Sequence, residues 1–189
     1  GLSQLSLLHM NISKAVILTA GLGTRFLPVA KSIPKVMLPV LDTPLIHYAV
    51  EEVVSAGVEH VIFVISDGQE CIRNYFAGSP DLEHILENRD NLEMLERVRS
   101  IPTPENVSYV FQHNQLGIGD AVMKAREIVG DDPFALIFPD DLIRSESPTI
   151  GIMGRLFDRF GGNFVALREV PNEIVSSLGI VDAHPIDKD

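Results

Sequence analysis

The sequence predicts a three-layer α/β fold, with a mostly parallel central sheet and helices on both faces. Two observations carry most of that expectation. Short apolar runs, partly β-branched, recur along the 189-residue chain, and segments with helical periodicity separate them. Strand–helix–strand alternation needs crossover connections, and these place the strands parallel. A third observation is that the runs are continuously apolar, as strands covered on both faces must be.

The elements follow in order. Residues 15–19, 61–65, 107–111, 135–138 and 164–167 read as buried strands. Residues 43–56 read as the first crossover helix, with Pro44 suited to the first helical position. Ile46, Val50, Val53 and Val54 recur on one face, Glu51, Glu52 and Ser55 face outward, and Gly57 suits the C-terminal cap. Residues 119–129 and 148–160 read as further crossover helices. Residues 79–99 are rich in charge yet keep Leu82, Ile85, Leu86, Leu92 and Leu95, which suggests one or two amphipathic helices on the rim. No internal repeat or low-complexity tract interrupts this order.

Composition sets limits on partners. Hydrophobic residues make up 46% and charged residues 22%, so a packed core is expected rather than disorder. The net charge of −11 argues against nucleic acid and against an anionic membrane, since both require a basic surface. No apolar run reaches the length of about 20 residues that spans a bilayer. Cys71 is the single cysteine, which excludes an intramolecular disulfide and fits a reducing cytoplasm. Residues 1–10 read as a cloning remnant ahead of a native start at Met10, and residues 11–189 as the domain.

The most informative stretch is 15–40, AVILTAGLGTRFLPVAKSIPKVMLPV. An apolar strand enters a glycine turn, Gly21-Leu22-Gly23, followed by Thr24, Arg25 and then Lys35. Glycines let backbone N–H groups approach phosphate oxygens, and the cations supply countercharge. Phe26 stands where a dinucleotide fingerprint needs its third glycine, and Gly23-Thr24-Arg25 does not close a P-loop. Pro28 and Pro34 make the following stretch an ordered loop rather than a helix. Two other strand ends carry candidate chemistry. One is Phe111-Gln112-His113, followed by Leu116-Gly117-Ile118-Gly119-Asp120-Ala121. The other is Phe138-Pro139-Asp140-Asp141. The Gln112 amide matches the alternating edge of a pyrimidine, and Gly117 lets backbone lie against the base. A lone carboxylate such as Asp140 can hold Mg²⁺ while phosphates and water fill the other positions.

Gly-Leu-Gly-Thr-Arg, then Pro-Lys, then Met-Leu-Pro resembles the signature of the sugar-1-phosphate nucleotidyltransferases. Among these the chain most resembles the bacterial UTP–glucose-1-phosphate uridylyltransferases, from about Lys14 to about Asp182. The resemblance implies a three-layer Rossmann-like nucleotidyltransferase fold. It implies an enzyme transferring a nucleotidyl group from UTP to glucose 1-phosphate, with UDP-glucose and pyrophosphate as products. Arg25 and Lys35 would be the catalytic cations. Ala20, Gly21, Gly23, Thr24, Gln112 and Gly117 would bind the nucleotide, Asp140 the Mg²⁺ ion, and the Gly179 backbone the sugar. A homo-oligomer in the cytoplasm is the accompanying expectation. Val36 stands where these uridylyltransferases usually have Glu, Asp120 where His is common, and Leu178 where an aromatic precedes Gly-Val-Val. The family's later Val-Glu-Lys-Pro segment, which binds sugar, does not occur here. The chain therefore reads as a partial polypeptide, or as an impaired nucleotide-binding paralogue acting as a regulatory subunit. A thymidylyltransferase and a nucleotide-sugar glycosyltransferase are the remaining alternatives.

Overall fold

In a computed structural model of the chain, residues 10–184 are described. Residues 1–9 of the expected remnant and the last residues of the expected domain, 185–189, lie outside them. The elements run β1 (Lys14–Leu18), β2 (Pro39–Val40), β3 (Thr43–Pro44), α1 (Leu45–Ser55), β4 (His60–Ile65), α2 (Glu70–Phe76), α3 (Pro80–Asn88) and α4 (Leu92–Arg99). They continue with β5 (Asn106–Phe111), α5 (Ile118–Lys124), α6 (Arg126–Val129), β6 (Phe134–Ile137) and α7 (Thr149–Phe160). The main sheet is wholly parallel in the order β5-β4-β1-β6, and β2 and β3 form a separate antiparallel ribbon.

Side-chain alternation on the two central strands splits the core in two. Ala15 and Ile17 of β1 and Val61, Phe63 and Ile65 of β4 pack on one face with Ile46, Val50 and Val53 of α1. Val16, Ile62 and Val64 pack on the other with Ala121, Ala125 and Val129 of the α5–α6 region. Successive residues of a strand point to opposite faces, so both strands must be apolar throughout. The three-layer expectation is thereby met. Met10, set aside with the remnant on sequence grounds, is a core residue. Its side chain lies so close to Gly154 of α7 that a Cβ there would come within 2.5 Å of the sulfur.

Several boundaries differ from the sequence expectation. The helix at 43–56 begins at Leu45, because Thr43 and Pro44 pair with β2 first. The stretch 119–129 is two short helices that meet at Ala125. The rim segment divides into α3 and α4, separated by Asp90 with φ 53. The strand expected at 164–167 does not form, and Val165 and Leu167 are exposed. The stretch follows Gly161 and Gly162, both with positive φ, and pairs with no strand among the described residues. An apolar run without a neighbouring ladder leaves its backbone groups to water. Residues 178–181 are not in a strand either. Helix α2 was not foreseen. Among the described residues, no helix is long and apolar enough to cross a membrane.

Candidate active site

Chain order places the site. From β1 the sheet grows one way through β4 and β5, and then the chain returns to the other side of β1 as β6. The strand order thus reverses between β1 and β6, and ligand crevices form at the C-terminal ends of strands at such a point. A cleft of about 250 Å³ lies there, lined by Leu18, Thr19, Gly21, Gly23, Thr24, Arg25, Phe26, Lys35, Val36 and Asp140. It gathers the glycine turn, both candidate cations and the candidate metal ligand.

The loop between β1 and β2 is held by three single turns of 3₁₀ helix, Thr24–Phe26, Val29–Lys31 and Lys35–Met37. Gly23 begins the first turn with φ 59, and its carbonyl accepts the Phe26 N–H at 2.8 Å. A Cβ on Gly23 would lie 3.1 Å from the Lys35 Cβ and 3.3 Å from the Ala30 Cβ. The glycine therefore serves backbone conformation and close approach together. Val36 is buried in the core cluster that includes Ile46 and Val50. This anchors the turn that carries Lys35 and gives the apolar Val36, noted above as a departure from the usual Glu, a packing role.

The Lys35 ammonium pairs with Asp140 Oδ2 and sits 5.3 Å from the centre of the Phe26 ring. Arg25 is exposed and has no hydrogen-bond or ion-pair partner among the described residues. No group of three or more His, Cys, Asp or Glu side chains among them could hold a metal ion. Asp140 is thus a single carboxylate beside two cations. That donor set fits a magnesium-like ion, which is held by one or two carboxylates together with substrate phosphates. Asp141 does not line the cleft.

Ala20, Gln112 and Gly117 lie outside the cleft's lining, on the adjoining loops. The Gln112 N–H continues the ladder beyond β5 by donating to Ile65 O at 2.8 Å. Its side chain is buried, and Nε2 donates to Gly117 O at 3.0 Å and to Asp120 Oδ2 at 2.9 Å. Gly117 has φ 100 and ψ −179, a conformation that side chains rarely adopt. The Gln115 amide donates to Ala20 O at 2.7 Å and so ties this loop to the end of β1. The Asp120 carboxyl is held below its usual range, first by the Gln112 hydrogen bond and then by Lys124. Gly179 is exposed and is not brought to the cleft. His113 takes no part in the cleft either. It lies 3.1 Å from the Asp67 carboxylate and stacks on Phe111.

Gln69 escaped the sequence reading. It is buried, donates to Thr19 O at 3.1 Å and accepts the Ser66 N–H at 3.0 Å. Thr19 Oγ1 donates to Val64 O at 2.7 Å. These bonds fasten the ends of β1 and β4 directly below the glycine turn. A glutamine in the Ser66-Asp67-Gly68-Gln69 turn carries no signal that separates such a brace from an ordinary surface residue.

A family model described as nucleotidyl transferase matches residues 14–184. The chain is 39% identical over 178 residues to a UTP–glucose-1-phosphate uridylyltransferase of Staphylococcus haemolyticus, covering 94% of this chain and 61% of that protein. It is 38% identical over 171 residues to that of Bacillus subtilis, covering 90% of this chain and 59% of that protein. The fold matches a UDP-glucose pyrophosphorylase from Acinetobacter baumannii with a TM-score of 0.86 at 38% identity, covering 94% of this chain and 64% of the other. A UDP-glucose pyrophosphorylase complexed with UDP-glucose matches with a TM-score of 0.79 at 35% identity, covering 94% and 65%. The chain thus spans about three fifths of the curated relatives it matches, 61% and 59% in these two.

Proposed function

We propose, from the premise that this chain belongs to the nucleotidyl transferase family, that its cleft grips a nucleoside triphosphate for nucleotidyl transfer. The substrates are UTP and glucose 1-phosphate, and the products UDP-glucose and pyrophosphate. One observation carries this reading: the glycine turn, Arg25, Lys35 and Asp140 share a single cleft at the switch point of the sheet. The names of the similar proteins supply the base and the sugar.

The phosphate of the sugar attacks the α-phosphorus of UTP in line and expels pyrophosphate. No covalent protein nucleophile is required, so positioning and charge neutralisation carry the catalysis. Arg25 and the amides of the Gly21–Thr24 turn hold the β- and γ-phosphates. Lys35 exchanges its carboxylate partner for phosphate oxygens and offsets the charge that grows between attacking and leaving groups. Asp140 would hold Mg²⁺, which when bound polarises the α-phosphate. Ala20, Gln112 and Gly117 face the base, whereas Gly179, which lies away from the cleft, is given no contact with the sugar. The enzyme acts in the cytoplasm as a homo-oligomer.

Release of pyrophosphate, with UDP-glucose as co-product, from UTP, glucose 1-phosphate and Mg²⁺ tests the reading. Release of UDP instead would point to glycosyl transfer. Binding of UTP without turnover would leave a nucleotide-binding paralogue.

A further inference from the structure

The hydrogen-bond donors of Gln112 are both spent inside the protein. Nε2 faces the Gly117 carbonyl at 3.0 Å and Asp120 Oδ2 at 2.9 Å, and both partners only accept. This pairing dictates which end of the amide is nitrogen. The amide oxygen has no hydrogen-bond partner among the described residues and is not sealed from solvent. An amide that could have shown a base either face is therefore held to one.

We infer that Asp120 is a positioning residue that holds the Gln112 oxygen outward, so that the pocket accepts the ring N3–H of uracil or thymine and rejects cytosine. The inference rests on the reading of Gln112 as the base-facing side chain. Asp120 is itself fixed from the far side, because Lys124, one turn further along α5, places its ammonium 3.2 Å from Oδ1. This leaves Oδ2 for Gln112. The carboxyl is kept below its usual range by these same contacts, so at neutral pH it is ionised and can only accept. Gly117 contributes the second acceptor from a backbone conformation that side chains rarely adopt. Uracil and thymine carry a hydrogen on N3, whereas cytosine carries a lone pair there. Against a fixed oxygen the lone pair leaves two acceptors facing each other, which costs more than a bond merely not made. With Asp120 gone, the amide can rotate and offer Nε2 to cytosine.

The test is equilibrium binding of UTP and of CTP, each with Mg²⁺, to the whole chain by calorimetry. The wild type is expected to prefer UTP by about tenfold or more. Asp120→Leu should reduce that preference to about threefold or less, whereas Asp120→Asn, which keeps an acceptor oxygen, should retain it. A leucine variant that keeps the wild-type ratio, or that weakens both nucleotides equally, overturns the inference. A wild type that binds both nucleotides alike removes the base-facing role of Gln112 and the inference with it. A wild type that binds neither removes the proposed function as well. A second measurement needs no variant. The side-chain amide protons of Gln112 should exchange with water far more slowly than those of an exposed glutamine, and exchange at the exposed rate overturns the positioning claim.

Discussion

Gly23→Ala separates the conformational role of the glycine turn from its role in binding. The residue sits at φ 59, where an L side chain costs about 1–2 kcal/mol. The added methyl would also lie 3.1 Å from the Lys35 Cβ and 3.3 Å from the Ala30 Cβ, tighter than most real contacts. The loop must give by a few tenths of an ångström, and the part that gives carries Lys35. For a chain of this size about 1 kcal/mol corresponds to about 2–4 °C in Tm, so a fall of about 2–8 °C is expected. UTP affinity should fall by about tenfold, the size of a lost charge-assisted hydrogen bond. Gly21→Ala is the matched control. Nothing lies within 4 Å of a Cβ there, and its φ is not in the left-handed region. It should leave Tm within about 2 °C and still weaken UTP, because on the proposed function the methyl stands where phosphate oxygens approach the backbone. Thermal unfolding and calorimetry on the same preparations read both quantities. An unchanged Tm in Gly23→Ala would refute the packing argument, and undiminished UTP affinity in Gly21→Ala would refute the placement of the phosphates.

Lys35→Ala should cut turnover by about 10²–10³-fold in a pyrophosphate-release assay, with Tm nearly unchanged because its ion pair is exposed; near-normal turnover would remove Lys35 from the mechanism. Gln69→Ala leaves the Thr19 carbonyl and the Ser66 N–H without their side-chain partner, at a cost of about 1–3 kcal/mol in chemical denaturation. No loss of stability would mean that water replaces the brace. His47 and His60 are both held below the usual 6.5, each first by burial, so the unfolded chain binds more protons as pH drops below that value. Stability should therefore fall on acidification from pH 8 to pH 5.5, and replacing both residues with Gln should flatten that slope. A slope that survives the double variant assigns it to other groups.

Much of the scaffold was legible because burial writes itself into residue type. β1 and β4 are covered on both faces, and only apolar residues satisfy that position, so 15–19 and 61–65 could be read directly. Residues 164–167 have the same composition but form no strand, since pairing depends on a neighbour that a local pattern does not encode. The glycine turn was legible because Gly23 answers a backbone demand no other residue meets cheaply. Gln69 was not, because its importance comes from meeting Thr19, fifty positions away in the chain. Gln112 was found as a candidate, but which way its amide faces depends on Asp120 and the Gly117 carbonyl. In the sequence alone, Asp120 is only a departure from a common His.

On the proposed function, the Lys35–Asp140 pair is how an acidic protein keeps a polyanion site ready. The chain carries a net charge of −11, so a triphosphate approaches against an unfavourable field. Burying cations in the cleft would hold them there at a high desolvation cost. The structure leaves the pair partly open instead, with Lys35 24% and Asp140 42% exposed. At that exposure an ion pair contributes about 0–1 kcal/mol, too little to lock either partner. Lys35 is thus positioned by Val36 and Gly23, through packing and backbone shape, rather than by its carboxylate. The ammonium can then leave Asp140 for phosphate without loosening the loop, and the freed carboxylate is available to a cation that arrives with the nucleotide. Arg25, without a partner among the described residues, needs no such exchange. On this argument the two cations differ in kind: Arg25 captures the incoming charge, and Lys35 is released by it.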